Sequence, residues 1–210
     1  MTGNKGMTNY RESLRGRILE VALNAFATHG IRAVKMDDIA QQLGISKRTL
    51  YETYENKEQL VLEGLKKYHQ MKDEEARLID QQSANVMDLM LKIYHKKVSE
   101  FKTTCPQFYT DIMKYPRVLD FLHGNRQKAH EHLLLFLRRG VDEGYFRNDV
   151  SLELIAIMFD AIIDAIMTKR LFNHYSIELI FHDLVLVSLR GFCTPLGVKE
   201  LDLHFPQTND

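Results

Sequence analysis

The apolar positions Leu14, Ile18, Val21, Ala22, Ala25 and Phe26 fall three or four residues apart, the spacing of one helix face, and Gly30 closes the run. After a polar break, "DQQSAN", the same period returns at Val86, Leu89, Met90, Ile93, Val98 and Phe101. Pro106 and Pro116 bracket a short helical segment, "PQFYTDIMKY", and a long helix is predicted from about Val118 to Glu143, stopped by Gly144. Ser151 and Ser176 are each placed to cap a helix, and each has a glutamate two residues later beside the positive end of the helix dipole. No glycine or proline interrupts the chain between Gly64 and Pro106 or between Gly144 and Gly191, and nowhere does sustained alternation suggest a strand. The pattern predicts an all-α fold of about nine helices.

The helices before residue 56 are short and the later ones long. This predicts a flexible tail over residues 1–10, a small domain over 11–56, a linking helix over 57–79 within a larger bundle over 57–193, and a tail over 194–210.

Within the small domain, Met36 to Leu43 and Ser46 to Tyr54 read as two helices separated only by the turn at Gly44. Helices joined so tightly must cross closely. Ala40 is small enough for the crossing, Gly44 is free to take a positive φ, and Ile39, Leu43, Ile45 and Leu50 supply a shared apolar contact. That is helix-turn-helix geometry. Ser46 is placed as N-cap of the second helix, so Lys47, Arg48 and Thr49 occupy its first turn, the part such motifs insert into the major groove. Lysine and arginine can pair with the acceptor edge of guanine, and threonine can meet a base or a thymine methyl. Tyr51 and Lys57 suit phosphate oxygens, which fix register, and Asn56 is placed to cap the following helix. The same spacing alone also fits a solvated, charged helix face.

Charge and composition then limit the alternatives. The 210 residues carry 28 basic and 28 acidic side chains, so no uniform basic coat exists. Residues 1–68, however, hold 11 Lys or Arg against 8 Asp or Glu, about +3, which leaves about −3 for the remainder. Two distant cysteines, Cys105 and Cys193, point to a reducing cytoplasm without a disulfide framework. The segment "MTGNKGMTNY" lacks the apolar centre of a signal peptide, and the run Leu152 to Ile166 is too short and too acidic to span a bilayer. A cytoplasmic protein without membrane partners is expected.

The segment "ILEVALNAFATHGIRAVKMDDIAQQLGISKRTLYETYENKEQLV" closely resembles the DNA-binding region of the TetR family of transcriptional regulators. The resemblance covers roughly residues 14 to 65 and includes "FATHG", "DDIAQQLGIS", "KRTLY" and "NKEQL". It implies a homodimer on a double-stranded, inverted-repeat operator. It also implies a helical effector domain after the motif, and repression usually relieved by a small ligand. By the same resemblance Lys47, Arg48 and Thr49 fall among base or backbone contacts, and Tyr51 and Lys57 among phosphate contacts. Two positions depart from the family. Lys35 stands where a Ser or Thr usually caps the second helix, a loss of about 1 kcal/mol that Asp37 and Asp38 offset in part. Lys35 is then free to reach a phosphate. Thr53 replaces the usual His or Tyr, although its hydroxyl can still donate, and Tyr54 is expected to pack inward.

The bundle offers candidates rather than a motif. Phe101, Phe108, Tyr109, Met113, Phe121, Phe136 and Met158 have the character of an apolar ligand pocket, and equally of plain core. The last two helices carry apolar stripes that include Phe159, Ile162 and Ile166 on one and Phe181, Leu184, Val185 and Ser188 on the other. Family resemblance implies that these helices pair with their symmetry mates; an intramolecular core is the alternative. Asp160 and Asp164 share one face, where they could attract a cationic ligand or lie solvated with Glu153 and Thr168 in a polar stripe. No HExxH, Cys/His cluster, G-x-S-x-G or phosphate loop occurs, so neither a metal, a cofactor nor an enzymatic activity is expected. A DNA-binding protein without an effector is the alternative function, and an enzyme built on the bundle a more distant one.

Overall fold

The computed structural model describes the backbone of residues 3–205 and the side chains of residues 10–205. Among the described residues every regular element is helical, and the one β-bridge is the isolated pair Phe146 and Cys193. It divides into two compact units, one of residues 1–74 and 103–122, the other of 75–102 and 123–210.

The first unit begins with α1 (Gly3–His29), α2 (Met36–Leu43) and α3 (Lys47–Thr53). Helix α1 runs through most of the segment expected as an N-terminal tail; residues 1 and 2 lie outside the described residues. The beginning of α4 (Lys57–Gln81), all of α6 (Pro106–Ile112) and the beginning of α7 (Pro116–Asp142) complete the unit. It therefore contains more than the helix-turn-helix segment. One apolar core unites it: Ile18, Ala22 and Phe26 of α1, Ile39 and Ala40 of α2, Leu50 of α3, Leu60 and Val61 of α4, and Ile112 and Val118 are all buried together.

The second unit is built on α5 (Val86–Thr103), α8 (Leu152–Thr168), the later part of α7 and the C-terminal helices. Its core gathers Met87, Leu137, Phe146, Ala156, Phe159, Leu189 and Phe192. Ser151 and Ser176 cap as expected, accepting from the Leu154 and Leu179 amides at 3.4 and 3.2 Å. Helix α8 stops at Thr168: Arg170 takes a left-handed conformation, φ 52°, and a short 3-10 turn spans Leu171–Asn173. The following helical run is α at both ends, α9 (Ile177–Ile180) and α10 (Val187–Arg190), and π-helical across Phe181–Leu186.

The segment expected as a C-terminal tail contains helix α11 (Pro195–His204). Pro195 opens it at the first helical position, where a missing N–H costs nothing. Thr194 accepts from the Gly197 amide at 3.2 Å while its hydroxyl donates to the Gly144 carbonyl at 2.7 Å, and Leu201 is buried in the second core. Residues 206–210 lie outside the described residues.

Candidate nucleic-acid interface

The turn between α2 and α3 forms through Gly44, whose φ of 65° is strained for any residue with a Cβ. Its amide donates to the Gln41 carbonyl and that of Ile45 to the Ala40 carbonyl, at 3.1 and 3.0 Å, which closes the end of α2. Two residues later Ser46 caps α3, its hydroxyl accepting from the Thr49 amide at 3.0 Å and paired with the Thr49 hydroxyl at 2.8 Å. Leu50 and Tyr54 then anchor the helix from beneath, both fully buried. The Tyr54 hydroxyl donates to the Arg15 carbonyl at 3.3 Å, and burial pushes its pKa up to about 12. Tyr54 thus packs inward, as expected.

With those residues turned in, α3 presents Lys47, Arg48 and Tyr51 outward. Each of the two cations is held by a carboxylate. Lys47 Nζ donates to Asp37 of α2 at 2.5 Å, and Arg48 Nε donates to Glu52 one turn along α3 at 2.8 Å. These bonds raise both pKa values above their ordinary ones, so both side chains are cations at any pH the protein meets. Ser46 and Thr49 serve the cap, and the Thr53 hydroxyl donates to the Thr49 carbonyl at 2.8 Å.

At the entry to α2, Lys35 occupies the cap position and its own amide donates to Asp38 at 2.8 Å. A lysine side chain has no acceptor, so only this reverse half of a capping box is chemically available. Asp38 therefore supplies part of what the missing Ser or Thr would, and the Lys35 ammonium remains at the surface. Asn56 caps α4 by accepting from the Gln59 amide at 2.9 Å, and the Gln59 side chain accepts from the Glu55 amide at 2.8 Å. Lys57 is half-buried; its ammonium donates to the Val34 carbonyl and sits 5.9 Å from the Phe26 ring centre. Burial lowers its pKa.

One supporting residue escaped the sequence reading. Asp111 of α6 is fully buried and accepts from the Arg32 amide at 2.8 Å, Gln107 Nε2 at 3.0 Å and Lys114 Nζ at 3.3 Å. Burial alone would raise its pKa, but these donors outweigh it and hold the carboxyl below its ordinary value. The Cys105 amide adds a bond to the Ala27 carbonyl at 2.8 Å. Helix α6 is thereby fastened to the turn between α1 and α2. Its only trace in the sequence is a carboxylate among the apolar neighbours Ile112 and Met113.

The bundle candidates are dispersed. Phe108, Tyr109, Met113 and Phe121 belong to the first unit; Phe101, Phe136 and Met158 belong to the second. Phe108 and Phe121 pack against the first core and Phe136 and Met158 against the second, while Met113 is exposed. Of the interface candidates, Phe159 is buried in the second core and Ile162, Phe181 and Val185 pack against it, whereas Ile166, Leu184 and Ser188 are half-buried. The outward apolar side chains are others: Leu154, Ile157 and Ile163 on α8, with Leu179 and Val187 on the later helices. Asp160 and Asp164 pair with α7, through His130 at 2.5 Å and Arg126 at 2.6 Å. Among the described residues, no group of three His, Cys, Asp or Glu could hold a metal, and no helix is long and apolar enough to cross a membrane.

Residues 18–63 match the family described as bacterial regulatory proteins, tetR family. The HTH-type transcriptional repressor KstR2 of Mycobacterium tuberculosis is 28% identical over 149 residues, which span 68% of this chain and 74% of that protein. A transcriptional regulator from Saccharomonospora viridis, solved in complex with choline, superposes with a TM-score of 0.71 at 20% identity, covering 87% of this chain and 99% of that one. The solved structure of the M. tuberculosis ketosteroid transcriptional regulator KstR2 gives 0.56 at 23%, covering 86% and 95%.

Proposed function

We propose that the chain is a regulator of the tetR family, as the match over residues 18–63 and the likeness to KstR2 support, and that two copies bind an inverted-repeat operator and repress transcription until a small molecule occupies the helical bundle. The observation that carries the DNA-binding half is local. A Gly44 turn and a Ser46 cap present Lys47, Arg48 and Tyr51 at the start of a helix whose opposite side is buried. In this reading Arg48 and Lys47 read base edges, Tyr51 donates to a phosphate, and Thr49 and Ser46 hold the helix end against the backbone. Lys35 and Thr53 approach flanking phosphates. Lys57 contributes after turning its ammonium from the Val34 carbonyl, or acts from within by fixing the start of α4.

Dimerisation is supported by the outward apolar side chains Leu154, Ile157, Ile163, Leu179 and Val187, which a second copy would cover. A two-fold dimer mirrors an inverted repeat, with half-sites about one helical turn apart or a multiple of it. A small-molecule effector is supported by the choline bound to the S. viridis regulator of the same fold.

Selection from randomised duplex DNA by the purified protein tests the proposal. Enrichment of an inverted repeat is expected. Arg48→Ala then weakens binding at particular base pairs, whereas Tyr51→Phe weakens it evenly across sequences. No enrichment, or unchanged affinity in both variants, contradicts the assignment.

A further inference from the structure

We infer that Glu52 is a specificity-determining residue: it positions Arg48 for base reading and, by its charge, disfavours duplexes that offer Arg48 no partner. The inference rests on the DNA-binding reading above and assigns a task within that surface to an exposed carboxylate.

The geometry is specific about which part of the guanidinium is engaged. Glu52 accepts from Nε of Arg48 at 2.8 Å, one helical turn along the same face. A bond at Nε leaves the two terminal amino groups for another acceptor. Those two groups form a fork that fits the O6 and N7 atoms of guanine end-on. The Arg48 side chain is 87% exposed, so no packing against the protein fixes its direction, and the carboxylate is what restricts it. A long arginine held at its middle loses less rotamer freedom on meeting a base than one that is free.

The neighbouring cation does not share this acid. Lys47 pairs instead with Asp37 of α2, so the surface made by α2 and α3 together carries these two cations and two carboxylates in separate pairs. Such a face has little net attraction for phosphate as such. On a duplex with guanine at the right position, Arg48 keeps Glu52 and gains the base. Elsewhere Glu52 faces an anionic groove with nothing returned for its desolvation. The carboxylate therefore widens the gap between right and wrong sequences, which is how discrimination is gained when a contact to the right partner is matched by a penalty against others.

The test uses the full-length protein and three kinds of duplex: the inverted repeat it selects, single-base variants of that repeat, and a scrambled sequence. Affinities are measured for the wild type, Glu52→Ala, Arg48→Ala and the double variant, with helicity recorded for each. Glu52→Ala should reduce the preference at the base pair read by Arg48 by roughly tenfold while raising affinity for the scrambled duplex. In the Arg48→Ala background the same change should leave that preference where it was. Glu52→Gln, whose amide oxygen can still accept from Nε, should keep most of the base preference yet show the gain on scrambled DNA. A merely helix-stabilising Glu52 would instead lower affinity for every duplex alike. Full base preference in Glu52→Ala, or additive effects of the two substitutions, would overturn the inference and leave the regulator reading intact. A wild type that prefers no sequence would overturn both.

Discussion

The two compact units carry their information in different ways. In the first, nearly every feature that shapes the candidate DNA surface is local: the Gly44 turn, the Ser46 cap, the Asn56 cap and the buried Leu50 all act within a few residues of their neighbours. In the second, what matters is which of several apolar faces meets which partner. Phe159 and Leu137 lie in the core while Ile157 and Ile163 of the same region point outward, although all are alike in chemistry. Local rules are readable along a chain; the choice among equivalent apolar faces is not.

Matched truncations in the two cores give the largest expected effects and sharpen this contrast. Leu50 and Leu137 are both fully buried, so Leu50→Ala and Leu137→Ala should each cost about 2–5 kcal/mol in urea unfolding. Only Leu50→Ala removes the support of α3 itself, so operator binding in the cold, where both variants are still folded, should fall more in that variant. Equal losses of binding would mean that the surface on α3 is no more dependent on its own core than on the other one.

A smaller effect is expected at Asp111, a long-range tie within the first unit. Asp111→Asn keeps the shape but replaces an anion that accepts three hydrogen bonds, at an expected cost of about 1–3 kcal/mol near neutral pH. Because its native pKa lies below the ordinary value, the charged form contributes fully above the usual aspartate range, and the contribution disappears as pH falls through the lowered native value. The stability gap between wild type and Asp111→Asn should therefore narrow on acidification. A gap that stays constant or widens would rule out the carboxylate charge as its source.

The smallest of the three is Ser46→Ala, which removes the cap of α3 at about 1 kcal/mol by thermal unfolding. Its effect on DNA affinity should exceed its effect on stability, since Lys47 and Arg48 stand on the turn that the cap fixes. If both fall together, the cap serves the fold alone.

What the sequence made legible follows the same division. The all-α class and the short second and third helices could be read from spacing and from residue type, and the inward Tyr54 from the family resemblance. The missing Ser or Thr before α2 was visible, but not its consequence, because the reverse bond from Lys35 to Asp38 depends on backbone geometry. Helix α11 was mistaken for a tail since its ten residues carry a weak apolar pattern, and its Thr194 cap gains value from a bond to the distant Gly144. The π-helical stretch at Phe181–Leu186 leaves the residue types of an ordinary helix in place and so gives no local signal. Asp160 and Asp164, readable as a ligand site or a solvated stripe, are matched by His130 and Arg126 across two helices, which spacing within one helix does not reveal. The carboxylate partners of Lys47 and Arg48 likewise emerged only with the fold.

The claim that this α3 surface reads DNA is tested most directly by the salt dependence of affinity for the selected repeat, set beside that for a scrambled duplex. If each subunit neutralises about four phosphates, the log–log slope for a dimer should be near −7, from roughly 0.9 per phosphate, with the repeat bound at least about a thousandfold more tightly than the scrambled duplex. A slope near zero, or equal affinity for the two duplexes at every salt concentration, would contradict it.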